Sequence, residues 1–466
     1  MTGTASPDRA TPGALRRRRA RRAGPAAAGL IVTLAAALAI PALTFADGPA
    51  MAAAGTTAHA MTADRAGAGR PSAAGLAAAG TASGPLRAWG SNQTGQLGDG
   101  STDPSDFPVR VQLPSGTKVT QARAGCFHTV ALTSRGHVLA WGDNSFGQLG
   151  NGSTVSTDAP VRVKLPSGTK VTAVRAGCLF SLALTSKGHV LAWGDNTEGQ
   201  FGNGTTTGSD TPVRVRLAEG TTATAISAGE DFGLARTAQG HALAWGENTV
   251  GELGNGTTVS SETPVRVKLP KGSKVRILSA GLNFAFASTS GGGVYAWGAD
   301  NVGQLGDGTI TADSDTPVSI GPQQDGPRQG GPRQGGPGER LVSLVAGCGH
   351  ALALLANGEF LAWGANGQGQ LGNGTTTSSD RPVFVLLPTG TTVTALSAGC
   401  NDSYALTANG HVLAWGSNSK GQLGDDGGPA GEDTPVRVDL PPGRRVLAVG
   451  AGPLASTAYA VMHKKS

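Results

Sequence analysis

WGDNSFGQLGNGSTVSTDAPVRVKLPSGTKVTAVRAGCLFSLALTSKGHVLAWG, residues 141–194, runs from one Trp-Gly to the next and holds the plan of the whole chain. All seven tryptophans stand in Trp-Gly pairs: Trp89, Trp141, Trp193, Trp245, Trp297, Trp363 and Trp415. The steps between them are 52, 52, 52, 52, 66 and 52 residues. A fixed period of this length marks a repeat architecture. The long step contains GPQQDGPRQGGPRQGGPGER (321–340), a Gly/Pro insertion expected to form a disordered loop.

Within a unit, short alternating apolar runs are bounded by Gly, Pro and Asn, the pattern of strands. TSRG (133–136) and TSKG (185–188) are tight hairpin turns. Four strands fit each unit: A (such as 119–124), B (129–134), C (138–141) and D (109–112). Four strands in each of seven units predict an all-β fold, a seven-bladed β-propeller. An open solenoid would need polar capping repeats. The ends argue for a ring instead. The first C strand (86–89) has no A or B before it, and the last unit has A (445–450) and B (456–462) without C or D. The N-terminal strands are therefore expected to complete the C-terminal blade.

The pattern WG-x-N-x-x-GQLG-x-G, followed by Ala-Gly and ALTxxG, resembles the repeat of the regulator of chromosome condensation family over roughly 84–466. The resemblance implies a propeller. It does not fix one function, because propellers host many. That family includes a nuclear guanine-nucleotide exchange factor for a small GTPase, protein-interaction modules, and secreted bacterial β-lactamase inhibitors. In those inhibitors aromatic residues after Ala-Gly contact the target enzyme. Phe127 matches such a position here, whereas Asp231, Asn283, Gly349 and Asn401 do not.

Glycine supplies 74 of 466 residues without a Gly-X-Y period, which excludes collagen. Gly, Thr, Ser and Asn interrupt every apolar stretch, which argues against a helical bundle. The net charge of +6 comes from the N-terminus. Residues 1–83 hold nine bases and three acids, leaving 28 of each beyond Ser83. A neutral body gives no support for nucleic-acid binding. RRRRARR (16–22), the apolar run 26–46 and the small residues of Thr44-Phe45-Ala46 form an export signal, cleaved or retained as a membrane anchor. Residues 47–83 read as a flexible Ala/Gly linker before a propeller spanning 84–466. The expected location is secreted or at the extracytoplasmic surface, with membrane contact only if the N-terminal segment is retained.

No phosphate loop, HExxH, CxxC or GxSxG is present, so no catalytic residue, metal or cofactor is expected. His137, His189, His241 and His411 recur before strand C and belong to the architecture. Cys126, Cys178, Cys348 and Cys400 each follow Ala-Gly, in two pairs of adjacent units. In a seven-fold ring with equivalent atoms roughly 7 Å from the axis, neighbours are about 6 Å apart, within disulfide range. Cys126–Cys178 and Cys348–Cys400 are candidate disulfides, small buried thiols being the alternative.

Antiparallel strands put the A–B and C–D loops on one face of the ring, and the B–C and D–A loops on the other. The first face carries 23 acids, from Asp99 to Asp433, against Arg381 and Lys420. The opposite face carries Lys118, Arg135, Lys170, Lys187, Lys271, Lys274, Arg444 and Arg445 against Glu219 and Glu359. The residues after Ala-Gly vary while the scaffold repeats. Candidate partner-binding residues are therefore Phe127, His128, Leu179, Phe180, Glu230, Asp231, Phe232, Asn283, Phe284, His350, Asp402 and Tyr404. The expectation is a monomeric, non-enzymatic module for a protein partner of basic or extracellular character; the alternatives are a nucleotide-exchange regulator of a GTPase, a secreted β-lactamase-type inhibitor and a binder of cell-wall polysaccharide. Packing of Phe180, Phe232 and Phe284 between blades is the competing expectation.

Overall fold

The computed structural model describes residues 84–310, 312–320 and 340–464. The expected export segment 1–46, the expected linker 47–83 and the insertion, apart from Arg340, lie outside the described residues. Among the described residues, 28 strands form seven four-stranded antiparallel sheets. Blade 1 has strand A Val119–Ala124, B His128–Thr133, C Val138–Gly142 and D Thr157–Arg162. Blades 2 to 6 repeat that order.

Blade 7 closes the ring as the chain ends imply. Its sheet order is Ser105–Arg110, Leu86–Gly90, Thr457–Lys464, Arg444–Gly450. The N-terminal C strand pairs Leu86 with Val461 and Trp89 with Ala458. The D strands differ from the expected bounds, beginning at Ser105 rather than 109 in the first unit. The cause is a bulge: Ala88 pairs with Val109, but Gly90 already pairs with Ser105. Irregular pairing hides such a strand from a search for alternation.

Strand A of each blade touches strand A of the next, so the A strands form the inner ring. The core consists of interfaces between blades. One cluster joins Val130, Leu132, Val138, Ala140 and Leu149 of blade 1 to Val171, Val174, Ala183, Leu191 and Trp193 of blade 2. The Trp-Gly and GQLG motifs lock each interface. Trp141 Nε1 donates to Gln96 O at 2.7 Å, Trp193 to Gln148 O at 2.8 Å, and Trp89 to Gln422 O at 2.8 Å across the closure. The indole lies against the last Gly of GQLG. At Gly150 φ is +62°, and a Cβ there would stand 2.7 Å from the Trp193 ring. Only glycine satisfies both the turn and the close approach. The Asn of Trp-Gly-x-Asn ties the loop internally. Asn144 Oδ1 accepts from Leu149 N at 2.9 Å, while its Nδ2 donates to Ser153 O at 2.8 Å and Val155 O at 3.1 Å.

A candidate protein-interaction face

The face is built from short A–B loops and long C–D loops. Phe127 O, in an A–B loop, accepts the amide N–H of Asp143, in a C–D loop, at 2.9 Å, so both lie at the same end of the blade. Three successive positions follow each Ala-Gly, and they have different surroundings.

The first position surrounds the hub: Cys126, Cys178, Glu230, Leu282, Cys348, Cys400 and, in blade 7, Ala455. Cys178 N donates to Glu230 O and Glu230 N to Leu282 O, which links these loops around the ring. The structure bonds Cys126 to Cys178 and Cys348 to Cys400.

The second position is accessible. Phe127 is 45 % exposed. Leu179, Asp231 and Asn283 are partly exposed. The blade 7 equivalent is Ser456, which accepts Ser91 N as Phe127 accepts Asp143 N. Two extra residues after Gly452 displace the register, so Leu454 and Ala455 do not occupy the second and third positions.

The third position is closed to any partner, which corrects half of the candidate set. His128, Phe180, Phe232, Phe284, His350 and Asp402 are fully buried. Each begins a B strand and lies over the Gly of its own Ala-Gly, where a Cβ would clash. Tyr404 is also buried, edge-on to Trp89, and donates its hydroxyl to Gln422 O at 2.7 Å.

What each third-position residue meets depends on one residue of the next blade, the one that pairs with that blade's tryptophan. His128 Nε2 meets Ser181 Oγ at 2.8 Å, and His350 Nε2 meets Ser403 Oγ at 2.9 Å. Ser181 gives its proton to Gln148 O, so it accepts from His128, whose Nε2 therefore carries the hydrogen. Burial lowers both histidines to about 4, leaving them neutral. Where the third residue is Phe180, Phe232 or Phe284, the following blade supplies Gly233, Ala285 or Ala351. The two histidine interfaces are also the two disulfide interfaces. Asp402 breaks the rule. It faces the blade that carries Ala458, and neither carboxyl oxygen has a partner. Burial raises its pKa to about 8.

The accessible residues form two neighbouring zones. One is apolar: Phe127, Leu179 and Phe146, the last 47 % exposed. Phe146 stands in a C–D loop and escapes a search confined to Ala-Gly. The repeat sets it beside Leu179, as Val302 lies 3.3 Å from a Cβ built at Gly349. The other zone is acidic: Glu198, Glu230, Asp231 and Glu247, with Asp195 buried beneath them. Gln200 Nε2 bridges Asp195 and Asp231 at 3.0 and 3.2 Å. The Asn283 amide lies 3.1 Å from the Glu230 carboxylate. Burial first, then repulsion from Glu230, Glu247, Asp195 and Glu198, pushes Asp231 up to about 7. Burial and like charges also raise Glu230 and Glu247. A cluster that holds carboxylates against their own repulsion favours an incoming positive charge.

Comparison with known proteins gives the fold a family. The chain is 30% identical over 337 residues to the ultraviolet-B receptor UVR8 of Arabidopsis thaliana, covering 72% of this chain and 73% of the receptor. It is 28% identical over 348 residues to the human E3 ubiquitin-protein ligase HERC2, covering 74% of this chain but 7% of that far longer protein. Human WBSCR16 superposes with a TM-score of 0.70 at 23% identity, over 82% of this chain and all of that one. Prp20p of Saccharomyces cerevisiae, a structure described with its binding to Gsp1p and histones, gives 0.71 at 22%, over 83% and 93%. At those identities the structural likeness shows the fold alone. The model of the RCC1-like domain matches residues 85–458, most of the chain, and the protein belongs to that family.

Proposed function

We propose that this propeller is a non-enzymatic module that binds a basic protein partner through the face of the A–B and C–D loops. The observation that carries the reading is the juxtaposition of exposed Phe127 and Phe146 and part-exposed Leu179 with four accessible acids that form no ion pair among the described residues. Acids steer a basic partner and accelerate encounter, while desolvated aromatics hold it. Residues 1–46 carry the pattern of an export signal, which supports action outside the cytoplasm. Capture of partners from culture medium and surface extract, by wild-type protein and by Phe127→Ala/Phe146→Ala, tests the assignment. A partner retained by wild type and lost by the double variant is expected. Equal recovery by both would remove the face from the account, and capture of a GTPase would replace it with the exchange-factor reading.

The titration of Asp231 gives this binding a pH dependence. Its pKa of about 7 means that the carboxylate is ionised at pH 8 and mostly neutral at pH 6. Attraction of a basic partner must therefore weaken as pH falls through 7. The association rate constant is expected to drop about three-fold or more between pH 8 and pH 6. Asp231→Asn should flatten that change. A rate that is constant over this range, or rises toward pH 6, would contradict it.

A further inference from the structure

Arg123 and Arg175 occupy the same step of strand A in blades 1 and 2, one residue before Ala-Gly-Cys. The A strands form the inner ring, so both residues belong to its hub. The other blades place Ser227, Ser279, Val345, Ser397 and Gly450 at that step. The serines bridge interfaces: Ser227 Oγ accepts Ala280 N at 3.1 Å, and Ser279 Oγ accepts Ala346 N at 3.1 Å. The arginines do not. Arg123 Nη1 donates to Ala122 O and Arg175 Nη1 to Val174 O, each at 2.8 Å within its own strand.

A guanidinium has five N–H donors, so most of them are still idle. Among the described residues neither arginine forms an ion pair, and the charged neighbour that acts on Arg175 is Arg123. Both side chains are enclosed by protein yet keep some access to solvent. Burial first, then the charge of Arg123, lowers Arg175 to about 9. Two residues before Arg123, Gln121 has a buried Oε1 without a partner. Enclosed like charges with idle donors are costly unless a counter-charge joins them. The Cys126–Cys178 bond ties together the loops that directly follow these two strands, which fixes one blade against the other.

We propose that Arg123 and Arg175 form an oxyanion site at the hub, taking one carboxylate or phosphate group between their guanidiniums. Planar forks suit such groups, which accept two parallel N–H bonds. The group is either free phosphate or the acidic side chain of a bound polypeptide. The site does not depend on the docking face proposed above, and its test needs no partner.

The test is calorimetric titration of the full chain with inorganic phosphate at constant ionic strength, repeated with Arg175→Ser. Serine stands at this step in three other blades, so the variant is expected to fold, and its melting transition verifies this. Wild type is expected to bind one phosphate per chain, and the variant to bind at least about ten-fold more weakly. N-acetylglutamate amide is then added as competitor. Competition assigns the site to acidic side chains as well, and its absence assigns it to phosphate; both support the oxyanion site. No saturable binding of either compound, or equal affinity in folded Arg175→Ser, would overturn it.

Discussion

Deleting residues 84–112 is expected to abolish cooperative unfolding and to leave an aggregating protein. The deletion removes strands C and D of blade 7. It takes with it Leu86, Ala88, Trp89 and Leu97, all fully buried. It breaks the Trp89–Gln422 hydrogen bond across the closure and the pairing of Leu86–Gly90 with Thr457–Lys464. The remaining B strand then offers an open edge, which seeks other chains. Loss of one large buried aromatic costs about 3–5 kcal/mol. The whole deletion therefore exceeds the net stability of an ordinary domain, roughly 5–15 kcal/mol. Size-exclusion chromatography and thermal melting by circular dichroism provide the check. A monomer with a sharp transition would show that ring closure contributes little. The insertion provides the contrast, although its outright removal would be damaging. Elsewhere VKLPSGTK (163–170) joins strand D to the next strand A, and Ile320 stands where Val163 does, so joining Ile320 directly to Leu341 would leave no connection. Replacing 321–340 by KLPSGTK is expected to be nearly silent.

Replacing Asp402 by Phe is expected to stabilise the protein, most strongly at neutral and alkaline pH. The folded pKa of about 8 lies above the ordinary value of 3.8. The folded state thus keeps a proton that the unfolded chain releases. This contribution to stability is full below about 4, declines as pH rises, and levels off above about 8. At pH 7 the penalty is on the order of 4 kcal/mol. Phenylalanine fits because Phe232 and Phe284 fill equivalent sites opposite Ala285 and Ala351, and Asp402 lies opposite Ala458. Urea unfolding from pH 4 to pH 8.5 measures the effect. The difference between variant and wild type should widen through this window. A destabilised variant, or a difference independent of pH, would mean that Asp402 has a partner.

The fold was legible because seven near-identical units serve as an alignment within one chain. Trp-Gly and GQLG recur since each indole must bond to the preceding unit's loop and lie on its glycine. The candidate site was only partly legible. The two residues following Cys126 both vary among units, yet Phe127 is exposed and His128 is buried. Variation at the third position reflects complementarity between blades. Its signal was present in the sequence: histidine is matched by Ser181 or Ser403 in the following unit, and phenylalanine by Gly233, Ala285 or Ala351. Phe146 was missed because it lies inside a motif whose other positions are scaffold. Arg123 and Arg175 were missed because they sit within a strand, where one charge in an alternating pattern reads as solvated.

The central claim is that the acidic and aromatic face receives a basic protein. The most direct measurement is the association rate constant of a captured partner at low and high salt, with wild type, with Glu230→Gln/Asp231→Asn/Glu247→Gln, and with Lys271→Gln/Lys274→Gln on the opposite face. The rate for wild type should fall with salt by about ten-fold or more. The acid variant should start slow and respond little to salt, and the lysine variant should behave as wild type. A rate indifferent to the three acids but changed by the two lysines would contradict the account and place docking on the opposite face.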